Sequence, residues 1–199
     1  MSLSLQTADF FDSRLLRLAQ LVQQSFLRLL SDTPADQILG WGLVTDAAAQ
    51  RLVPTIYRRH DHAANLADAQ TRYQDSGVDW DLYLRWTPVE WPRSTATAPT
   101  TAVPELGELW QELLDRRAPA SGVDRTYWPS IMFEAAANAM IVLHRDGWFD
   151  EYAHSVRVLH VIEGRIDRVT RRRWVEAMNA DLARQSYLSH ERQFVGAAR

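Results

Sequence analysis

The nine residues "ILGWGLVTD" (38–46) limit the fold more than any other stretch of this chain. They are apolar at alternate and at intervening positions and are bounded by turn-forming residues. That is the pattern of a short strand buried on both faces. Gly40 and Gly42 fall on the same face, so another backbone or a bulky side chain can come close there. "RLVPTIYR" (51–58) follows after a short connection and suits a hairpin partner, with Pro54 pointing to an edge strand or a bulge.

Helical spacing supplies the cover. In "ADFFDSRLLRLAQLVQQSFLRLLSD", Leu15, Leu18, Val22, Phe26 and Leu29 share one face, and Pro34 stops the helix. "HDHAANLADAQTRYQDSG" has helical character, with Asp61 as its cap and Gly77 as its stop. Leu106, Leu109, Trp110 and Leu113 define a helix in "ELGELWQELLDRR". Phe133, Ala137, Met140 and Ile141 define another in "PSIMFEAAANAMIVLH", with Pro129 in its first turn and "RDG" (145–147) as its stop. "DLYLRW" (81–86) and "VRVLHVIEG" (156–164) read as further strands, and Asp167 caps a final helix, "RVTRRRWVEAMNADLARQ". Residues 92–104, rich in Ser, Thr, Ala and Pro, read as an exposed loop, and the tail after Tyr187 as frayed. The sum is one α+β domain over 1–199: a mostly antiparallel sheet of about four or more strands, covered by helices.

Composition narrows the chemistry. The 199 residues contain no cysteine, which removes disulfides, thiol nucleophiles and thiolate metal sites. All 22 basic residues are arginine, which removes Schiff-base chemistry and a P-loop lysine. A net charge of −3 argues against a general nucleic-acid coat. No run reaches the roughly 18 apolar residues that a membrane span requires. The opening "MSLSLQTADFF" has no basic residue before a hydrophobic run, so a cytoplasmic location is expected.

Four groups compete as sites. His60 and His62 in "HDH" lie two apart and diverge on a helix, and no spacing elsewhere adds a third ligand, so no metal site is expected. His144, Asp146 and His160 form a possible acid–base set, although a helix end and its stop signal already explain the first two. Arg171, Arg172 and Arg173 fan around a helix, as an exposed basic face meeting an acidic protein partner would. The most distinctive stretch is "YLRWTPVEWPRS" (83–94). Thr87-Pro88-Val89-Glu90 matches a capping box, with Trp86 and Trp91 at the positions of a hydrophobic staple. Arg85 is placed to pair with Glu90 or to stack on a tryptophan.

"YLRWTPVEW", the earlier "ILGWGLVTD", and the later "AAANAMIVLHRDGWF" and "VLHVIEG" together resemble a bacterial family. It is the domain-of-unknown-function family numbered 4303, whose members show an R-W-x-P-x-E-W-type signature. The resemblance spans roughly residues 10 to 180. It names no reaction and no cofactor. It implies a small bacterial α+β domain similar to immunity proteins, which bind and neutralise a cognate toxin by covering its site. The alternative is an enzyme or small-ligand binder with a pocket near Arg85, Trp86, Glu90 and Trp91.

Overall fold

A computed structural model describes residues 5–30, 33–74, 76–91, 103–115, 128–164 and 166–195, with side chains from residue 14 to residue 194. Three strands form the sheet in the order β2-β1-β3, where β1 is Ile38–Asp46, β2 is Leu52–Arg58 and β3 is Val156–Ile162. Strand β1 pairs antiparallel with β2 and parallel with β3. The sheet is therefore mixed and three-stranded among the described residues, not mostly antiparallel with four or more. The reason is the connection: the described residues between Arg58 and Val156 run as helices and turns, and a long crossover brings β3 back in the direction of β1.

The central strand behaves as its composition requires. Residues Ile38 to Thr45 are all buried, and β2 carries Pro54 on an outer edge, where a missing N–H breaks no ladder. A register irregularity between Ile38 and Gly40 interrupts the alternation, so Ile38 shares a cover with Trp41 and Leu43 while Leu39 faces the other. On one face Trp41 and Leu43 meet α1 (Leu5–Leu30), α4 (Pro104–Asp115) and α5 (Trp128–Arg145). The expected core positions of these helices are buried, apart from Leu15, which is half-buried. Trp41 sits in a box of rings: Phe26, Trp148, Phe149 and Tyr152 lie 5.1, 5.0, 5.8 and 4.8 Å from its centroid. Gly147, at φ +76, ends α5 in the left-handed region where glycine is favoured.

The other face is covered by α3 (Trp80–Trp86), α6 (Arg168–Met178) and α7 (Asp181–His190), while α2 (Arg59–Arg72) leaves β2 directly. Residues 81–86 are thus helix, not strand. Their D-L-Y-L-R-W alternation mimics a strand, but the Asp79 side chain accepts the Leu82 N–H at 3.0 Å and starts a helix. Asp81 and Arg85 then form an ion pair, 3.1 Å apart, that needs the i,i+4 geometry. The start of α2 falls two residues before Asp61, which pairs with His60 at 2.9 Å and does not cap.

Asp167 does cap α6, accepting the Thr170 N–H at 2.9 Å. The single final helix expected from the sequence, however, is broken at Asn179. The buried Asn179 carboxamide accepts the Arg157 N–H at 2.7 Å and donates to the Arg157 carbonyl at 2.8 Å. In extended conformation it works as a one-residue strand along the open edge of β3, satisfying backbone groups that would otherwise be stranded. The described part of the tail after Tyr187 is docked, not frayed: α7 runs to His190, a π-helical turn follows at Glu191–Val195, and Glu191 is fully buried. The expected loop at 92–104 lies outside the described residues up to 102, while Val103 is buried and Pro104 opens α4.

Candidate binding site at the tryptophan corner

The seven residues from Arg85 to Trp91 turn the chain from α3 onto the sheet through a 3-10 turn at Pro88–Glu90. The capping box does not form. Thr87 Oγ1 donates backwards to the Tyr83 carbonyl at 2.8 Å, which closes α3 instead of opening the next helix. With only a single 3-10 turn following, no helix needs the cap. The Glu90 side chain is exposed and makes no hydrogen bond or ion pair among the described residues; its backbone carbonyl accepts from Asn65 Nδ2 at 2.8 Å. Arg85 pairs with Asp81, not with Glu90.

The two tryptophans anchor different layers. Trp86 donates through Nε1 to Ser186 Oγ at 3.0 Å and meets the Tyr187 ring edge-on at 5.1 Å, which fixes α7. Trp91 is 1% exposed, donates to the Leu84 carbonyl at 2.8 Å, and stacks on Tyr57 at 4.9 Å with the rings 5° from parallel. Its six-membered ring lies over Gly40 and Gly42. A Cβ placed on Gly40 would stand 2.6 Å from Trp91 Cη2, and one on Gly42 would stand 3.0 Å from Cζ3. The approach expected above the two glycines is this indole.

Beneath the corner runs a polar chain that the sequence did not reveal. His62 is buried, with Nδ1 3.0 Å from the Tyr57 hydroxyl and Nε2 2.8 Å from Asp81 Oδ1. A carboxylate only accepts, so Nε2 carries the proton, and in the neutral ring Nδ1 accepts from Tyr57. Burial raises Asp81, but hydrogen bonds from His62 and Arg85 outweigh it and hold the carboxyl below its ordinary range. Burial pushes the Tyr57 hydroxyl up to about 12. Tyr57 is fully buried beneath Trp91, so no substrate reaches the hydroxyl, and the chain Tyr57–His62–Asp81–Arg85 ties β2, α2 and α3 together. Asp81→Ala is expected to cost about 1–2 kcal/mol, reduced towards the lower figure by the exposure of the carboxylate. Urea unfolding at pH 7 measures it.

The remaining candidates do not converge. His60 is exposed while His62 is buried, and among the described residues no three His, Asp or Glu side chains gather to hold a metal ion. His160 faces the α3–α6–α7 side of the sheet, whereas His144 lies near Arg157, and Asp146 is exposed at the end of α5. Burial, followed by the charges of Arg157 and Arg184, lowers His144 below its ordinary value. Of the three arginines, Arg172 joins Arg168 in clamping the buried Glu191, at 2.6 and 2.9 Å. Arg173 pairs with Glu134, and Arg171 turns towards a cavity against the sheet. Burial raises Glu191, yet the two arginines outweigh it and keep its carboxyl below the usual range. Spacing alone hides Tyr57 and Asp81. Asp81 becomes visible only once 81–86 is known to be helical, because Arg85 is then four residues away.

The architecture is an α+β layer structure: a three-stranded mixed sheet with helices on both faces, and the tryptophan corner wedged onto one of them. The chain matches the family described as Domain of unknown function (DUF4303) over residues 18–180, which is most of its length, and it belongs to that family. No curated protein and no solved structure matches it. Among the described residues no helix is long and apolar enough to cross a membrane.

Proposed function

We propose that this protein is a non-catalytic binding domain of the immunity type, which covers and neutralises a cognate bacterial toxin. One observation carries the reading. On α4, Glu105, Glu108, Glu112 and Asp115 recur at spacings of three, four and three, so they form one exposed acidic stripe, and the helix contains no arginine. Among the described residues Arg14 of α1 pairs with Glu112 of this stripe at 2.7 Å. The opposite face of α4 is buried through Leu106, Leu109, Trp110 and Leu113, so the stripe is held rigidly. Rigid like charges of this kind suit a partner with a basic surface, whose encounter they accelerate and orient.

The corner residues support the same reading by what they already do. Trp86 and Trp91 are buried anchors and Arg85 is ion-paired, which leaves Glu90 as the exposed side chain among these four. Co-expression with the protein encoded by the adjacent gene tests the proposal. Protection of growth and co-purification are expected. The variant E105Q/E108Q/E112Q/D115N should retain its fold, since exposed substitutions usually stay within about 0.5 kcal/mol. It should bind about 10- to 100-fold more weakly. A neighbouring product that is neither toxic nor bound counts against the reading.

A further inference from the structure

Between β3, the end of α3, α6 and α7 lies a cavity of about 150 Å³. Its walls combine aliphatic side chains of β3 and α6 with the rings of Trp86 and Trp174. Trp86 and Trp174 have already committed their indole N–H groups, to Ser186 and to Glu134, so they present ring faces alone. Its polar groups are a different matter. Tyr187 is 4% exposed and its hydroxyl has no hydrogen-bond partner. His190 is 8% exposed and neither ring nitrogen has one. His160 projects from β3 into the same space, and the half-buried Arg171 guanidinium at the rim forms no ion pair among the described residues. A buried donor or acceptor left without a partner costs about 1–3 kcal/mol, so several around one void ask for an occupant.

We propose that this cavity is a binding site for a small aromatic carboxylate, with the carboxylate against Arg171 and Tyr187 and the flat ring between Trp86 and Trp174. Size fits: a void of about 150 Å³ has room for a benzene ring, and the carboxylate would then reach towards Arg171 at the rim. Charge fits as well. Burial, reinforced by Arg171, lowers both histidines to about 4, so near pH 7 they are neutral and Arg171 is the cation of the site. A neutral imidazole offers one donor, and the Tyr187 hydroxyl another, enough for the oxygens that Arg171 does not reach. Acetate has the charge without the ring, and benzyl alcohol the ring without the charge.

The test is titration of the full chain with benzoate, benzyl alcohol and acetate, followed by tryptophan fluorescence and by calorimetry. Saturable benzoate binding is expected, at least about tenfold tighter than either comparator, because one charge-assisted contact is worth about that factor. Arg171→Gln should weaken benzoate about tenfold and leave benzyl alcohol unchanged. His160→Trp, which replaces an imidazole projecting into the void with a larger indole, should abolish binding of both; unchanged circular dichroism establishes that each variant is folded. No saturation by about 10 mM benzoate overturns the proposal. So does benzyl alcohol binding as tightly as benzoate, or benzoate binding that ignores Arg171→Gln.

Discussion

Trp91→Ala is expected to destabilise the protein by about 3–5 kcal/mol, the usual range for truncating a buried large aromatic. The loss has three parts: the stack on Tyr57, the hydrogen bond to the Leu84 carbonyl, and the contact with the floor made by Gly40 and Gly42. Gly40→Ala presses on the same contact from below. The new Cβ would stand 2.6 and 2.8 Å from two ring carbons of a side chain pinned on three sides, an overpacking cost of about 1–3 kcal/mol. The two effects should not add. In Gly40→Ala/Trp91→Ala the methyl enters the space the indole has left, so the double variant should be more stable than the sum by about 1–3 kcal/mol. Urea unfolding at pH 7 with unchanged m-values measures all three. Strict additivity would mean that Trp91 does not rest on Gly40.

Acid should weaken the fold well before its carboxylates titrate. His160 and His190 are pushed by burial, and secondarily by Arg171, from about 6.5 down to about 4 in the folded protein. Glu191 acts on His190 in the opposite sense without overcoming burial. Above pH 6.5 both rings are neutral whether folded or not, and their full contribution is present. As pH falls from 6.5 to 4 the unfolded chain takes up protons that the folded protein refuses, so stability declines by about 2–3 kcal/mol for each histidine. Asp81 and Glu191, held below the carboxylate range, lose their contribution only at lower pH. Urea midpoints at pH 7 and pH 4.5 isolate the histidine effect. The paired substitutions His160→Leu and His190→Phe should remove most of that difference, and an undiminished difference would assign the acid sensitivity elsewhere.

Where the sequence was legible, one physical signal decided the outcome. Strand β1 was plain because burial on both faces removes the alternation a half-exposed strand would have. The glycine pair announced a close approach because no other residue permits one, although only the structure identifies Trp91 as its occupant. The helices on the far side of Trp41 were legible from their apolar stripes. Other features failed where two signals compete. In 81–86 a period-two apolar pattern concealed a capped helix whose Asp81–Arg85 pair is the better guide. The parallel pairing of β3 and the break at Asn179 share one cause, an edge strand placed by a long crossover and then closed by a carboxamide. No local pattern encodes that contact across 22 residues. The candidate site suffered in the same way: Thr87-Pro88-Val89-Glu90 satisfies a capping motif, yet Thr87 closes the helix behind it.

The proposal that this protein works by covering a basic partner through α4 is tested most directly by calorimetric titration of the adjacent gene's product. Wild type and E105Q/E108Q/E112Q/D115N should be compared at low and high salt. Tight binding by wild type that weakens with salt, and weak, salt-insensitive binding by the neutralised variant, is the predicted result. Equal affinities for the two proteins at both salt concentrations, or no binding by wild type, would contradict it.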